Sequence, residues 1–125
     1  MNRDEFVKKY YDIAGRALVF CEKARREGLL ALEKESDKEK INDRDVFEYG
    51  IRFVIDGTDQ ELIDKILSNI INQEQDQNMR TLKTIQKEAV LMIQDGINPQ
   101  LLYALLNSYT GISLREDELK EYGHW

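Results

Sequence analysis

The sequence predicts an all-α protein, a helical bundle, on three observations. Apolar residues recur at intervals of three and four over most of the chain. Proline occurs once, at Pro99, so little interrupts helix formation. One pattern is also written twice: Phe53–Asn69 reads FVIDGTDQELIDKILSN, and Met92–Ser108 reads MIQDGINPQLLYALLNS. Each copy is an apolar helix end, an Asp-Gly break and a capped amphipathic helix. Two such corners make a scaffold of packed helices rather than a catalytic cleft.

Residues 4 to 34 are predicted as a long first helix, with Phe6, Val7, Tyr10, Ile13, Ala14, Ala17, Leu18, Cys21 and Ala24 on its apolar side. Gly28 falls inside it. A mid-helix glycine costs about 1 kcal/mol relative to alanine, and it reads here as a point of close packing. Glu33 to Asp45 is charged or polar apart from Ile41, which makes a solvated linker whose Asn42 or Asp43 caps the next helix. That second helix is predicted over 44 to 56, and Gly57 ends it.

The third helix starts at Thr58 or Asp59. Thr58-Asp59-Gln60-Glu61 meets the capping-box spacing, and aligning the two copies favours Asp59, which falls opposite Asn98. From Asp59 to Asp95 there is neither glycine nor proline, so local rules predict one long central helix over 59–95. At 1.5 Å per residue it would span roughly 55 Å, too long for both halves to be buried in one compact core. Either its polar middle, Asn72 to Asn78, bends, or the far half packs on another subunit.

Gly96 ends that helix, Asn98 caps the next and Pro99 takes the first helical position, where its missing N–H costs nothing. The last predicted helix carries Leu101, Leu102, Leu105, Leu106 and Tyr109, and Gly111 closes it. A capping signal at Ser113-Leu-Arg-Glu116 then starts a short acidic helix ending near Tyr122. The expected organisation is a single soluble domain over 1–125: an N-terminal helix (1–34), a paired-corner module (44–109) and a tail (110–125). Gly57, Asp59, Gly96, Asn98 and Pro99 are its structural corner residues.

At 125 residues the chain accommodates one modest core. No apolar run approaches the roughly 20 residues of a membrane-spanning helix, so no membrane insertion is expected. The opening MNRDEFVKKYYD has acids in its first turn and lacks the apolar centre of a secretory signal, which predicts a cytoplasmic protein. A net charge of −6 argues against nucleic acid as a partner, since phosphate binding wants a basic face. The lone Cys21 supplies neither an intramolecular disulfide nor a metal spacing.

Residues suited to chemistry are few. His124, the one histidine, sits next to the last residue, where little would fix its ring for acid–base work. Asp56 with Asp95, or Glu88 with Asp95, would supply paired carboxylates, but no metal or nucleophile motif accompanies them. Gly50, Gly57, Gly96 and Gly111 stand singly at helix joints, unlike a phosphate-binding loop. No enzyme, cofactor or metal is therefore expected. Tyr109, Tyr122 and Trp125 are possible aromatic anchors for a protein partner.

Three segments carry a further signal: Glu22–Glu33 (EKARREGLLALE), Phe47–Leu67 (FEYGIRFVIDGTDQELIDKIL) and residues 88–106 (EAVLMIQDGINPQLLYALL). Together they resemble the cytoplasmic region of the MotA family, the A subunit of the ion-driven flagellar stator. Family members have two membrane helices before this region and two between its halves. Here Met1–Cys21 stands in place of the first pair and Asn72–Ile85 in place of the second, so the resemblance implies a protein that cannot conduct ions.

It also implies a protein partner, the flagellar rotor or another motor component. In the family a charged surface near the second of these helices meets the rotor, and the matching stretch here contains Arg44, Asp45, Glu48 and Arg52. Spacing of four residues places Arg44, Glu48 and Arg52 on one helical face, the expected partner-binding residues. Direct fusion of the flanking segments without a breaker implies a homo-oligomer, with a domain-swapped dimer resolving the geometry. The expected function is a motor-associated interaction module, structural or regulatory. The alternative is a helical adaptor or structural subunit with partners unrelated to motility.

Overall fold

The computed structural model describes residues 1–36 and 45–111. Over them the chain is an all-α bundle of five α-helices: α1 (Arg3–Glu27), α2 (Val46–Ile55), α3 (Gln60–Asn72), α4 (Gln77–Asp95) and α5 (Pro99–Ser108). A 3-10 segment over Leu29–Lys34, here called the strap, follows α1. Helix α4 is the hub, packing against α1, α2, α3 and α5. Helix α2 starts at Val46 and is capped by Asp45, not by Asn42 or Asp43 as expected, because the Asp45 carboxylate is the one that reaches the Glu48 amide; everything expected beyond Gly111 lies outside the described residues.

The first helix is shorter than the expected 4–34. Asn2 caps it by accepting the Glu5 amide at 2.9 Å, and it stops at Glu27 because Gly28 takes φ +92°. A β-carbon built at Gly28 would meet nothing within 4 Å, so this glycine supplies backbone freedom and not the close packing expected of it. After the break the strap returns over α1 and drives Leu32 fully into the core. Helix α1 buries a wide arc that includes Tyr11, Gly15 and Phe20, beyond the single stripe that periodicity suggested.

The predicted long central helix does not exist. The chain leaves helix after Asn72, and α4 starts afresh at Gln77. Side chains in the polar stretch compete with helix propagation here. The Asp76 carboxylate accepts the Met79 amide at 2.8 Å and so caps α4, and the Asp76 amide donates to the Glu74 carboxylate at 3.1 Å. Arg80 clamps the turn by donating to the Glu74 carbonyl from Nε (3.0 Å) and Nη2 (2.6 Å), while Lys83 pairs with the Glu74 carboxylate at 2.9 Å.

With the chain reversed at this point, α3 packs on α4 within one molecule. The geometric reason for a domain swap disappears with the long helix. Lys87 of α4 staples the pair by reaching Asp64 at 2.9 Å and the Ser68 hydroxyl at 3.2 Å. The inward line of α3 is Ile63, Leu67 and Ile71, and Leu62 is left outside.

Where α2 crosses α4, the backbones meet closely at Gly50. A β-carbon there would lie 2.8 and 2.9 Å from the two γ-methyls of Val90 and 3.0 Å from Leu67 Cδ1. Val90 is branched at Cβ and cannot swing aside cheaply. The same crossing satisfies one of the free amides at the start of α2, because Phe47 N donates to Gln86 Oε1 at 3.1 Å.

Two outcomes follow from this packing. Gly50→Ala should lower unfolding stability by about 1–3 kcal/mol through overpacking, read as a smaller urea midpoint with an unchanged slope. The second concerns pH. Lys87 holds the Asp64 carboxyl below its ordinary value of 3.8, chiefly by hydrogen bonding, and Lys83 does the same to Glu74 below 4.5. A carboxyl depressed in the folded state contributes stability that is complete above its unfolded value and lost as pH falls through the folded one. Stability should therefore fall progressively on acidification below about pH 4.5, and in Lys87→Met the protein should start less stable at neutral pH and lose less on acidification. Urea titrations at a series of pH values would measure both.

Candidate functional site

The expected partner-binding residues lie at the start of α2, and the structure gives each a different place. Arg44 is outside the described residues. Asp45 is the N-cap of α2, its carboxylate accepting the Glu48 amide at 3.0 Å. Arg52 is partly exposed and sits between Glu33 of the strap (3.6 Å) and Asp56 (3.5 Å). Glu48 does not belong to an exposed face, because it is 0% exposed.

That buried carboxylate is the electrostatic centre of the region. Glu48 pairs with Arg16 of α1 and accepts the Ser36 hydroxyl on Oε2 at 2.8 Å. The Arg16 guanidinium carbon lies 5.4 Å from the Phe20 ring centroid and 5.5 Å from that of Phe47, and the two rings meet edge to face at 5.1 Å. A cation held over two aromatic faces gains quadrupole attraction in addition to its ion pair. Arg16, Phe20, Ser36, Phe47 and Glu48 thus join α1, α2 and the end of the strap in one knot. The sequence carried one sign of it, Arg16 and Phe20 at i,i+4 spacing, but the pairing of Arg16 with Glu48 is a contact between distant elements.

The two corners come together at the opposite end of α2. Gly57 and Gly96 take φ +78° and +77°. Asp59 caps α3 by accepting the Glu61 amide at 3.1 Å, which decides between Thr58 and Asp59. Asn98 accepts the Leu101 amide at 2.8 Å, ahead of Pro99 in the first turn of α5. Gln94 then donates to the Thr58 carbonyl at 2.9 Å, and Gln60 donates to the Leu91 carbonyl and to Asp95, each at 2.9 Å. From α1, Arg25 donates to the Gly96 carbonyl at 2.9 Å and the Cys21 thiol to the Ile97 carbonyl at 3.1 Å. Burial pushes that thiol up to about 11, so it stays protonated near neutral pH.

The carboxylates weighed as catalytic pairs are each engaged elsewhere. Asp56 faces Arg52, Asp95 accepts from Gln60, and Glu88 accepts the Tyr109 hydroxyl at 3.0 Å. Among the described residues no three His, Cys, Asp or Glu side chains gather closely enough to hold a metal ion. His124, Tyr122 and Trp125 lie outside the described residues. An open groove of about 340 Å³ runs between the start of α1 and the end of α5. Among the described residues its lining includes Arg3, Phe6, Asn78, Thr81 and Tyr109, and Arg3 is the one charged side chain of that set.

Among the described residues the exposed large apolar side chains are Met1, Val19, Leu30, Leu62, Leu101 and Tyr109, with Leu62 of α3 and Leu101 of α5 50% and 59% exposed. Among the described residues no helix is long and apolar enough to cross a membrane. Comparisons with protein-family models, curated proteins and solved structures return no match to this chain.

Glu48→Ala removes a fully buried side chain and the carboxylate shared by Arg16 and the Ser36 hydroxyl, so it should cost about 2 kcal/mol or more, with Arg16, 30% exposed, turning to water. Arg52→Ala, which breaks only partly exposed pairs, should change stability by less than about 1 kcal/mol. Thermal or urea unfolding of the two variants would separate the residue that builds the fold from the one available to a partner.

Proposed function

We propose that this chain is a non-enzymatic protein–protein interaction module related to the cytoplasmic region of the flagellar stator, acting at the motor from the cytoplasmic side without conducting ions. The observation that carries the reading is the resemblance of three separate segments to the MotA family. Their placement supports treating them as one unit. Glu22–Glu33 covers the end of α1 and most of the strap, Phe47–Leu67 covers α2 with most of α3, and residues 88–106 cover the end of α4 with most of α5. Those elements pack on one another, and hydrogen bonds from Arg25, Gln60 and Gln94 tie their corners together.

With Glu48 committed to the interior, the surface proposed to meet the rotor centres on Arg52, which lies beside the strap through its pair with Glu33. Arg52 suits the role because its ion pairs with Glu33 and Asp56 are partly exposed and easily exchanged for a partner's carboxylates. Electrostatic contacts of this kind guide association and choose partners more than they add raw affinity.

A second reading has its own observation. The exposed Leu62 and Leu101 suit an adaptor that grips an apolar partner unrelated to motility. The two readings predict opposite mutational results. Arg52→Glu should abolish capture of rotor proteins and impair motility if the motor reading holds, while Leu101→Ser leaves both unchanged. No association of the tagged protein with motor components, together with normal swimming of a deletion strain, would remove the motor reading. Loss of another partner in Leu101→Ser alone would establish the adaptor.

A further inference from the structure

Asp-Gly occurs twice in the chain, at Asp56-Gly57 and Asp95-Gly96, and each copy ends a helix. In an open chain this dipeptide closes readily to a five-membered imide, because glycine leaves its nitrogen unhindered. The ring forms when the aspartate Cβ eclipses the glycine nitrogen, and right-handed helical backbone holds the two apart. Asp56 sits at φ −76° and ψ −3°, and Asp95 is the last residue of α4. The glycine amides are engaged as well, Gly57 donating to the Val54 carbonyl and Gly96 to the Ile93 carbonyl, each at 3.1 Å. Reaction at either place therefore needs the corner to open first. What opening breaks differs between them. At the second corner, Arg25 and Cys21 reach from α1 to the Gly96 and Ile97 carbonyls, and Gln60 holds the Asp95 carboxylate at 2.9 Å. At the first, the half-exposed Asp56 carboxylate faces Arg52 of its own helix at 3.5 Å, and the cross-tie is the bond from Gln94 to the Thr58 carbonyl. No side chain of α1 takes part there.

We propose that Asp56-Gly57 is a site of spontaneous isomerisation to isoaspartate, and that the ties from α1 hold back the same reaction at Asp95-Gly96. The Gly57 nitrogen bonds to Cγ of Asp56, while a carboxyl oxygen leaves as water together with the amide proton. Water then adds to one of the two ring carbonyls and breaks its bond to nitrogen. Addition at the Asp56 backbone carbonyl leaves the chain linked through the former side-chain carboxyl. No reactant besides water is consumed, and the water lost in the first step is regained in the second. In the isomer the backbone passes through Cβ and is one methylene longer, so the Gly57 and Thr58 amides no longer fall opposite the Val54 and Phe53 carbonyls. The free carboxylate is now carried directly on Cα, which takes it out of the i,i+4 geometry that meets Arg52. Arg52 keeps Glu33 of the strap. The modification thus alters the charged surface beside α2 without an enzyme, whichever partner that surface meets.

The test incubates the full chain at neutral pH and physiological temperature, and locates isoaspartate by peptide mapping with an isoaspartyl methyltransferase and its methyl donor as reporter. The same chain in guanidinium chloride gives the reference rate of each dipeptide, which removes the effect of the residue that follows the glycine. Relative to those references, isoaspartate should accumulate at Asp56 about fivefold or more faster than at Asp95, the ratio expected for one further net hydrogen bond to break. Equal relative rates, a faster rate at Asp95, or no isoaspartate at Asp56 while the denatured chain reacts, overturns the proposal. Arg25→Ala should raise the rate at Asp95 several-fold and leave Asp56 as it was. A parallel rise at both would mean that global unfolding governs the reaction, and no rise at Asp95 would mean that the ties from α1 do not protect it; each outcome sinks the idea. In the purified isomer, amide hydrogen exchange should be faster over Phe53–Thr58 with the middle of α4 protected as before, and unchanged exchange at the corner would refute the structural consequence.

Discussion

The reversal at Gln73–Asp76 is the constraint on which the rest of the molecule depends. Had α3 and α4 run on as one rod, the apolar line of α3 would not have reached α4 within the same molecule. Because the chain turns back, Ile63, Leu67 and Ile71 lie against α4, and the opposite sides of α4 remain open to α1, α2 and α5. The turn is held by side chains on both of its flanks. Glu74 and Asp76 supply acceptors, while Arg80 and Lys83, one turn into α4, supply the donors. A polar run without glycine or proline can reverse a chain when its own carboxylates satisfy the amides that a helix would otherwise have used.

Once α4 is fixed as the hub, two polar assemblies at opposite ends of α2 set how the other helices meet it. At one end, the Arg16–Glu48 knot binds α1, α2 and the strap. At the other, Gln60, Gln94, Arg25 and Cys21 bind the corners to each other and to α1. Between them α2 lies so close to α4 that only glycine fits at position 50. Buried polar contacts of this kind fix relative orientation, since a helix sliding by one turn would leave a charge or an amide unpaired. The apolar core supplies most of the cohesion, and the polar contacts choose one arrangement of it.

Several local features were legible in the residues alone. All-α architecture, capping of the later helices by Asn98 and by one of Thr58 or Asp59, and the end of α4 at Gly96 follow from periodicity and from termini that need particular acceptors or a left-handed residue. Gly28 was legible as an anomaly but not as a break, because a helical glycine that permits close packing and one that ends a helix look alike in sequence. The 73–76 turn stood in the sequence only as one of two alternatives, a bend within Asn72–Asn78 or a far half packed on another subunit, and the structure takes the bend. Asn72 to Asn78 holds no residue that forbids helix, and only the competition between Asp76 capping and helix propagation, tipped by burial of α3 on α4, decides the outcome.

The candidate surface divides in the same way. Spacing of four residues rightly places Glu48 and Arg52 near one another on α2, yet it says nothing about which of them faces water. That depended on Arg16 arriving from α1 and Ser36 from the strap, residues that share no local pattern with Glu48. The sequence by itself determined the helical class, the capping of α5 by Asn98 and the end of α4 at Gly96, because these are governed by backbone groups and neighbours within a few residues. Only the tertiary structure decided where the central helix breaks, which charge is buried and that the two corners touch, because those outcomes rest on burial and on partners brought together by the whole chain.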